Sequence, residues 1–145
     1  MVRRTTVHVV FDRQYPAAVL TIAAPKVRRG AEMIADIQRR TIPVSADGSY
    51  GRPAGYARDN IDVWAGVDTV GPYLDVGTDA TTPDGTSYPA ILDAGSRPHL
   101  IESHGDYPLR NRRTGQVFGR TVLHPGTKPT YWCRRSILAI AGRTL

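Results

Sequence analysis

The sequence predicts a single α+β domain, residues 1–145, with a mainly antiparallel sheet packed against a long amphipathic helix and a C-terminal helix, joined by long loops. Short β-branched runs separated by glycine and proline predict several strands. One stretch with apolar residues at helical spacing predicts the long helix. The 145 residues are 41% hydrophobic and 22% charged, which is enough for one core, and no linker divides them into two.

The first part of the chain predicts a strand followed by a long helix. Residues 5–11 are dense in β-branched side chains. Residues 16–42 have a helical pattern, with apolar side chains at intervals of three or four: Val27, Ala31, Ile34, Ile37. Pro25 either kinks or restarts this helix, and Pro43 ends it. The apolar stripe requires a packing partner, for which a sheet is the obvious candidate.

The middle of the chain predicts two strands between loops. Residues 44–56 carry three glycines and a proline and predict a loop. Residues 58–67 alternate in polarity and predict a half-exposed antiparallel strand, with residues 73–77 as its partner. Residues 78–87 predict a polar loop with almost nothing to bury.

The segments that follow predict a short helix and more strands. Residues 88–94 fit a helix better than a strand end, because Pro89 suits the first helical position. Residues 99–102 predict the start of a strand. Residues 109–123 predict a hairpin that turns at Thr114 and Gly115.

Residues 124–132 predict a stiff, shaped loop ahead of the last helix. Two prolines bracket Gly126, which can adopt a positive φ. Thr127 is a candidate N-cap, and Pro129 is a candidate first residue of a helix that runs to about residue 142. This loop is expected to set the entry angle of the helix and to fix the aromatic residues that open it.

The charge of the chain predicts an acidic partner. The formal net charge is +6 and the pI is near 9.9, which suits a nucleic acid or an acidic protein surface. Arg112 and Arg113, at the expected hairpin tip, are the best candidates for contact with DNA or an acidic partner. Basic and aromatic residues do not alternate as in a base-stacking platform, which disfavours sequence-specific DNA recognition.

The sequence predicts a soluble protein without disulfides. Cys133 is the only cysteine, so no intramolecular disulfide can form and a reducing cytosol is the expected environment. The first residues lack the apolar segment of a signal peptide. No run approaches the ~20 apolar residues that a membrane span requires.

No catalytic, cofactor or metal motif is found. The histidines lie at positions 8, 99, 104 and 124, without the spacing of a metal site. Cys133 and His124 lack a nucleophile signature, and a cysteine at an apolar helix start is more often a buried packing residue. The carboxylates are scattered through loops and strand ends. We therefore expect no enzyme, no cofactor and no small-molecule substrate.

Three loops, in this order, carry a family resemblance. Pro43 and a glycine-containing loop precede Arg-Asp-Asn-Ile at 58–61. Residues 88–99 read Tyr-Pro-Ala-Ile-Leu-Asp-Ala-Gly-Ser-Arg-Pro-His, and residues 124–129 read His-Pro-Gly-Thr-Lys-Pro before Trp132. Over roughly residues 25–142 the chain resembles the neck or tail-completion proteins of long-tailed bacteriophages. The last motif is the most specific, with six consecutive matching positions.

The chain also departs from the family pattern. Its first loop is enlarged and lacks the Thr-Gly of the family, and residues 78–87 form an insertion. Asp93 replaces the usual glutamate, Ser96 the usual threonine and Trp132 the usual phenylalanine. The changes at Asp93 and Ser96 are chemically mild.

The resemblance implies a structural virion protein at the head–tail junction, assembled in the host bacterial cytoplasm. Such proteins form homomeric rings, with six copies expected, between a head-completion or stopper protein and a tail-terminator or tail-tube protein. Genomic DNA passes through the lumen, and no membrane is involved. The resemblance implies that subunit or partner contacts are positioned by these residues: Tyr88, Asp93, Gly95, His99, His124, Pro125, Gly126, Thr127, Lys128, Pro129, Trp132.

Three other functions are open on the sequence alone. A tail-terminator ring that caps the tail tube has a similar size and fold class. A basic module that binds DNA without sequence specificity would use the net positive charge. A small hydrolase or thiol enzyme would require Cys133.

Overall fold

A computed structural model describes residues 5–10, 17–46, 48, 51–111 and 114–141, and these confirm the small α+β fold. The elements form an antiparallel three-stranded sheet, a separate antiparallel pair of strands, and helices between and after them. In chain order they are β1 (Thr5–Val10), α1 (Ala17–Thr41), α2 (Tyr56–Asp59), β2 (Ile61–Val67), β3 (Pro72–Thr78), α3 (Tyr88–Ala94), β4 (His99–Glu102), β5 (Thr121–His124) and α4 (Trp132–Ile140).

The three-stranded sheet has the order β1-β3-β2, with β3 at its centre. In its middle row Val76 of β3 is paired with Val7 on one side and Val63 on the other. Successive side chains in a strand point to opposite faces, so Leu74, Val76 and Thr78 share one face, and all three are buried. This face belongs to the core.

Helix α1 packs on the buried face of the sheet, as the sequence predicts. Ala31, Ile34 and Ala35 are all at most 5% exposed, and the two alanines allow the helix to approach the strands closely. Pro25 lies inside one continuous helix, so it does not restart the helix. Helix α4 packs against α1 and buries Trp132 in the same core.

Two segments differ from the sequence prediction. The strand predicted at 58–67 begins only at Ile61, because residues 56–59 form a helical turn that ends when the Asn60 side chain donates to the Tyr56 carbonyl at 2.7 Å. The loop predicted to bury almost nothing contains Ala80 and Thr82, both buried. The threonine hydroxyl accepts a hydrogen bond from the Thr86 amide at 3.0 Å, so a polar sequence can fold inward at little cost.

Strands β4 and β5 and the described residues between them, 103–111 and 114–120, form a long hairpin that we call the arm. The hairpin predicted at 109–123 is confirmed only in part. Its turn exists, with a bridge between Arg110 and Val117, but residues 121–124 pair with β4 instead. The Ser103 amide donates to the Arg120 carbonyl at 2.8 Å and extends that pairing beyond the strands, which leaves residues 104–108 outside the ladder. Most side chains of the arm are exposed.

The contact between α1 and α4 contains one buried polar group without a complete set of partners. Gln38 is fully buried and its Nε2 donates to Ser136 Oγ at 3.3 Å. Its Oε1 has no hydrogen-bond partner among the described residues. A buried carbonyl oxygen without a donor is destabilising, since the lost hydration is not replaced.

We therefore expect Gln38→Met to leave the free energy of unfolding unchanged or to raise it by up to about 1 kcal/mol. Ser136 keeps a partner in this variant, because its hydroxyl also donates to the Cys133 carbonyl at 2.5 Å. Urea unfolding followed by circular dichroism measures the effect. Gln38→Ala is the control and should destabilise by roughly 1–3 kcal/mol, because it opens a cavity. A loss of more than about 2 kcal/mol in the methionine variant would contradict this description of the contact.

Candidate assembly site

The two segments that carry the most specific motifs meet at the base of the arm. The Ser96 amide donates to the Thr127 carbonyl at 2.9 Å, and the Thr127 amide donates back to the Ser96 carbonyl at 3.2 Å. The Thr127 amide also lies 3.0 Å from Ser96 Oγ. We call this contact, between residues 92–97 and residues 126–133, the clasp.

The clasp continues into the helix that follows it. The Thr130 amide and hydroxyl both donate to the Leu92 carbonyl, at 3.0 and 2.7 Å, and the Tyr131 amide donates to the Asp93 carbonyl at 3.1 Å. These are the last carbonyls of α3, which a helix end otherwise leaves without partners. The clasp therefore joins the end of α3 to the start of α4.

Two glycines make the close approach of the clasp possible. Gly95 has φ +73°, and a Cβ there would lie 2.5 Å from the Thr127 carbonyl oxygen. Gly126 has φ +85°, and a Cβ there would collide with the Ser96 carbonyl oxygen. Both the left-handed backbone and the lack of space require glycine.

The start of α4 differs from the sequence prediction. The helix begins at Trp132, preceded by Tyr131 in the left-handed conformation with φ 52°. Thr127 is therefore not its N-cap, and Pro129 is not its first residue. Thr127 is already engaged with Ser96. The Asp93 side chain replaces the predicted cap by accepting a hydrogen bond from the Cys133 amide at 2.8 Å. A carboxylate at a helix N-terminus also interacts favourably with the helix dipole.

Trp132 fixes the clasp to the core. The side chain is fully buried, and its Nε1 donates to the Pro89 carbonyl at 3.2 Å. Burying a side chain of this size stabilises by roughly 2–3 kcal/mol, and the donated hydrogen bond satisfies its only polar atom. The indole therefore packs inside the protein.

Two histidines that are distant in the sequence lie next to each other. His99 and His124 face one another across β4 and β5, with ring centroids 5.0 Å apart. The Gly126 amide donates to His124 Nδ1 at 3.1 Å, while His99 Nδ1 donates to the Arg97 carbonyl at 2.9 Å. Only the strand register brings the two rings together, so inspection of local spacing misses the pair.

The structure brings the residues expected to position contacts into one region. Asp93, Gly95, Gly126 and Thr127 form the clasp itself, and Tyr88 is half-buried beside it. The members with the most exposed surface are Pro125, Lys128, Pro129 and His99. Their contact with a partner remains a prediction. Arg112 and Arg113 lie outside the described residues.

The arm carries apolar side chains on both faces. Leu100 and Leu123 are opposite each other in the strand register and are 62% and 65% exposed. On the other face, the pair Ile101 and Val122 contributes to an open apolar groove of about 390 Å³, together with Leu109 and Phe118. Apolar pairs placed opposite each other on a sheet normally pack against another element, and here no described element covers the leucine pair.

Cys133 is not set up as a nucleophile. Burial, together with the nearby negative charge of Asp93, raises the pKa of the thiol to about 12. A thiol with this pKa remains protonated at neutral pH, whereas the thiolate is the reactive form.

The described part of the chain offers neither a metal site nor a membrane span. It contains no group of three or more His, Cys, Asp or Glu side chains arranged to bind a metal ion. None of its helices combines the length and the apolar character that crossing a bilayer would require.

No protein-family model, curated protein or solved structure that was compared with the chain matches it.

Gly126→Ala tests the close approach in the clasp. We expect a loss of about 2–4 kcal/mol in the free energy of unfolding, because the methyl group forces the two segments apart. Gly85→Ala is a matched control, since Gly85 also has φ +85° but has no atom within 4 Å of an added Cβ. It should lose only about 1 kcal/mol, from backbone strain alone. Equal losses in urea unfolding would show that steric contact plays no part.

Cys133 provides a second test, of burial at the start of α4. A pKa near 12 instead of 9.0 leaves about one thousandth of the normal thiolate fraction at pH 8. We expect labelling by a chromogenic disulfide reagent in the native protein to be at least about 100-fold slower than in urea. Native labelling at the rate of an unfolded thiol would contradict both the burial and the raised pKa.

Proposed function

We propose that this protein is a structural component of a bacteriophage virion that forms a homomeric ring at the head–tail junction. The ring, with six copies, joins the head connector to the tail tube and completes the tail. One observation carries the proposal: the two segments with the most specific family motifs fold against each other and fix an exposed arm to the body. An apolar arm that is held at its base by the clasp is suited to assembly between subunits.

The exposed side chains of the arm support assembly rather than chemistry. Leu100 and Leu123 expose most of their surface, and burial against a neighbour would stabilise by roughly 1–2 kcal/mol for each side chain. The clasp holds the base of the arm through backbone hydrogen bonds, which lowers the conformational entropy lost when it docks. The expected partners are other copies of the chain, a head-completion or stopper protein, and a tail-terminator or tail-tube protein.

The alternative position within the neck is a tail-terminator ring that caps the tail tube. Both rings would contain copies related by rotation and would surround the genomic DNA. The two differ in their neighbours. Cross-linking within the particle, followed by identification of the linked peptides, distinguishes a subunit in contact with the head connector from one in contact with the tube alone.

A second candidate function is non-specific DNA binding, which the net charge of +6 favours. This function predicts an affinity for bare duplex DNA that falls steeply with salt concentration. It also predicts that Arg112→Ala combined with Arg113→Ala reduces the steepness of that dependence. A ring protein with DNA in its lumen requires no such affinity as a free subunit.

Quantitative mass spectrometry of purified phage particles tests the proposal directly. We expect the chain to be present at about half a dozen copies per particle, measured against the portal protein, because a single cyclic ring fixes the copy number. Particles lacking the chain would overturn the neck proposal and favour the DNA-binding alternative. Hundreds of copies would instead indicate a tube or capsid subunit.

A further inference from the structure

The charges of this chain are strongly segregated along the sequence. Residues 44–96 contain eight acidic residues and two arginines, which gives a net charge of −6. Residues 97–145 contain nine Lys and Arg residues and two acidic residues, which gives a net charge of +7. The basic part contains the arm, and the acidic part contains β2, β3 and the loops next to them. Separate surfaces of opposite sign favour association between copies.

The acidic surface is concentrated near the start of β2. Asp59, Asp62 and Asp79 line one open groove of about 270 Å³, beside Trp64. All three aspartates are exposed, and Asp59 is paired with Arg58 at 2.7 Å. We call this surface, formed by the three aspartates and Trp64, the acidic groove. A groove with carboxylates and an indole fits a guanidinium group, which binds both.

The arm presents the complementary surface. Arg110 and Arg120 of the arm are exposed, as are Leu100 and Leu123 and, just before the arm, Arg97. Residues 99–124 as a whole have four arginines and two acidic residues, a net charge of +2. The only ion pair of Arg120 among the described residues is a long contact of 3.8 Å with Asp106. The arm therefore combines apolar surface with cations that are held weakly within the chain.

The backbone edge of β2 is not available for strand addition at the acidic groove. Arg39 Nη2 donates to the Ile61 carbonyl at 2.7 Å, and the Asp62 carboxylate accepts a hydrogen bond from the Val63 amide at 2.8 Å. Side chains thus occupy the edge groups that another strand would use. A contact at this surface must be made through side chains.

We propose that the arm of one copy docks on the acidic groove of a second copy of this chain. The arm and the acidic groove are different surfaces, so each copy offers one of each, and the contact is head to tail. Repeated with a constant rotation, such a contact closes into a ring. The inference rests on the proposed ring and names the two surfaces that form it. Nucleic acid is an unsuitable occupant of the acidic groove, because the aspartates repel phosphate.

Charge reversal on each surface separately tests the contact. The arm variant is Arg110→Glu with Arg120→Glu, and the groove variant is Asp62→Lys with Asp79→Lys. We expect the unmodified chain to self-associate at low salt, and each variant to weaken association at least about tenfold. Sedimentation velocity from micromolar to millimolar concentration measures this, with circular dichroism to verify the fold.

Combining the two variants in one chain is the decisive measurement. The reversed arm then meets a reversed groove, so association should return to within about threefold of the unmodified chain. Lys26→Glu with Arg29→Glu is the matched control, because it changes the net charge as much as the arm variant but lies on exposed positions of α1. It should leave association unchanged. If Asp62 proves necessary for folding, Asp79→Lys alone replaces the groove variant.

Several outcomes would overturn the inference. One is a chain that stays monomeric at millimolar concentration and low salt. Another is association weakened by the arm variant but not by the groove variant, which would show that the arm docks on a different surface of the second copy. A third is a combined variant that remains as weak as its parents.

The outcome for the proposed function is separate. If particles contain about half a dozen copies but the groove variant still assembles, the ring stands and this contact fails. If the charge-reversal pattern holds but particles lack the chain, the self-association stands without the neck function.

Discussion

The pairing of Ser96 with Thr127 is the constraint on which the rest of the structure depends. It sets the distance between α3 and α4, and it fixes the base of the arm at the same point. Gly95 and Gly126 are required there because each opposes the carbonyl of the other segment. Trp132 then anchors the clasp in the core through the Pro89 carbonyl. A local backbone contact thus determines the relative positions of two helices and the arm.

The fold class and most elements could be predicted from the sequence because their signals are local. Alternation in β2 and β3, the apolar stripe of α1 and the proline near the start of α3 each act over a few residues. The features that the sequence did not predict correctly depend on contacts between residues far apart in the chain. Thr127 was expected to cap α4, but its partner lies 31 residues earlier, and Asp93 provides the cap from 40 residues away. The His99–His124 pair likewise depends on the strand register.

The candidate site could be predicted as a set of residues but not as an arrangement. The motifs at 88–99 and 124–132 were identified by resemblance, whereas their direct contact appears only in the fold. Trp132 illustrates the difference, since an aromatic residue in a shaped loop can face a partner or the core. In this structure Trp132 faces the core, where the Pro89 carbonyl accepts the hydrogen bond of the indole N–H. Charge segregation, by contrast, is visible in the sequence, but its meaning depends on knowing which segments form separate surfaces.

The protected edge of β2 has a consequence for the behaviour of the free chain. An open strand edge allows indefinite backbone pairing between molecules, which is the route to fibrils. At the start of β2, the side chains of Arg39 and Asp62 bind the Ile61 carbonyl and the Val63 amide. Contacts that molecules form at this end of β2 should therefore use side chains, and so be reversible and sensitive to ionic strength.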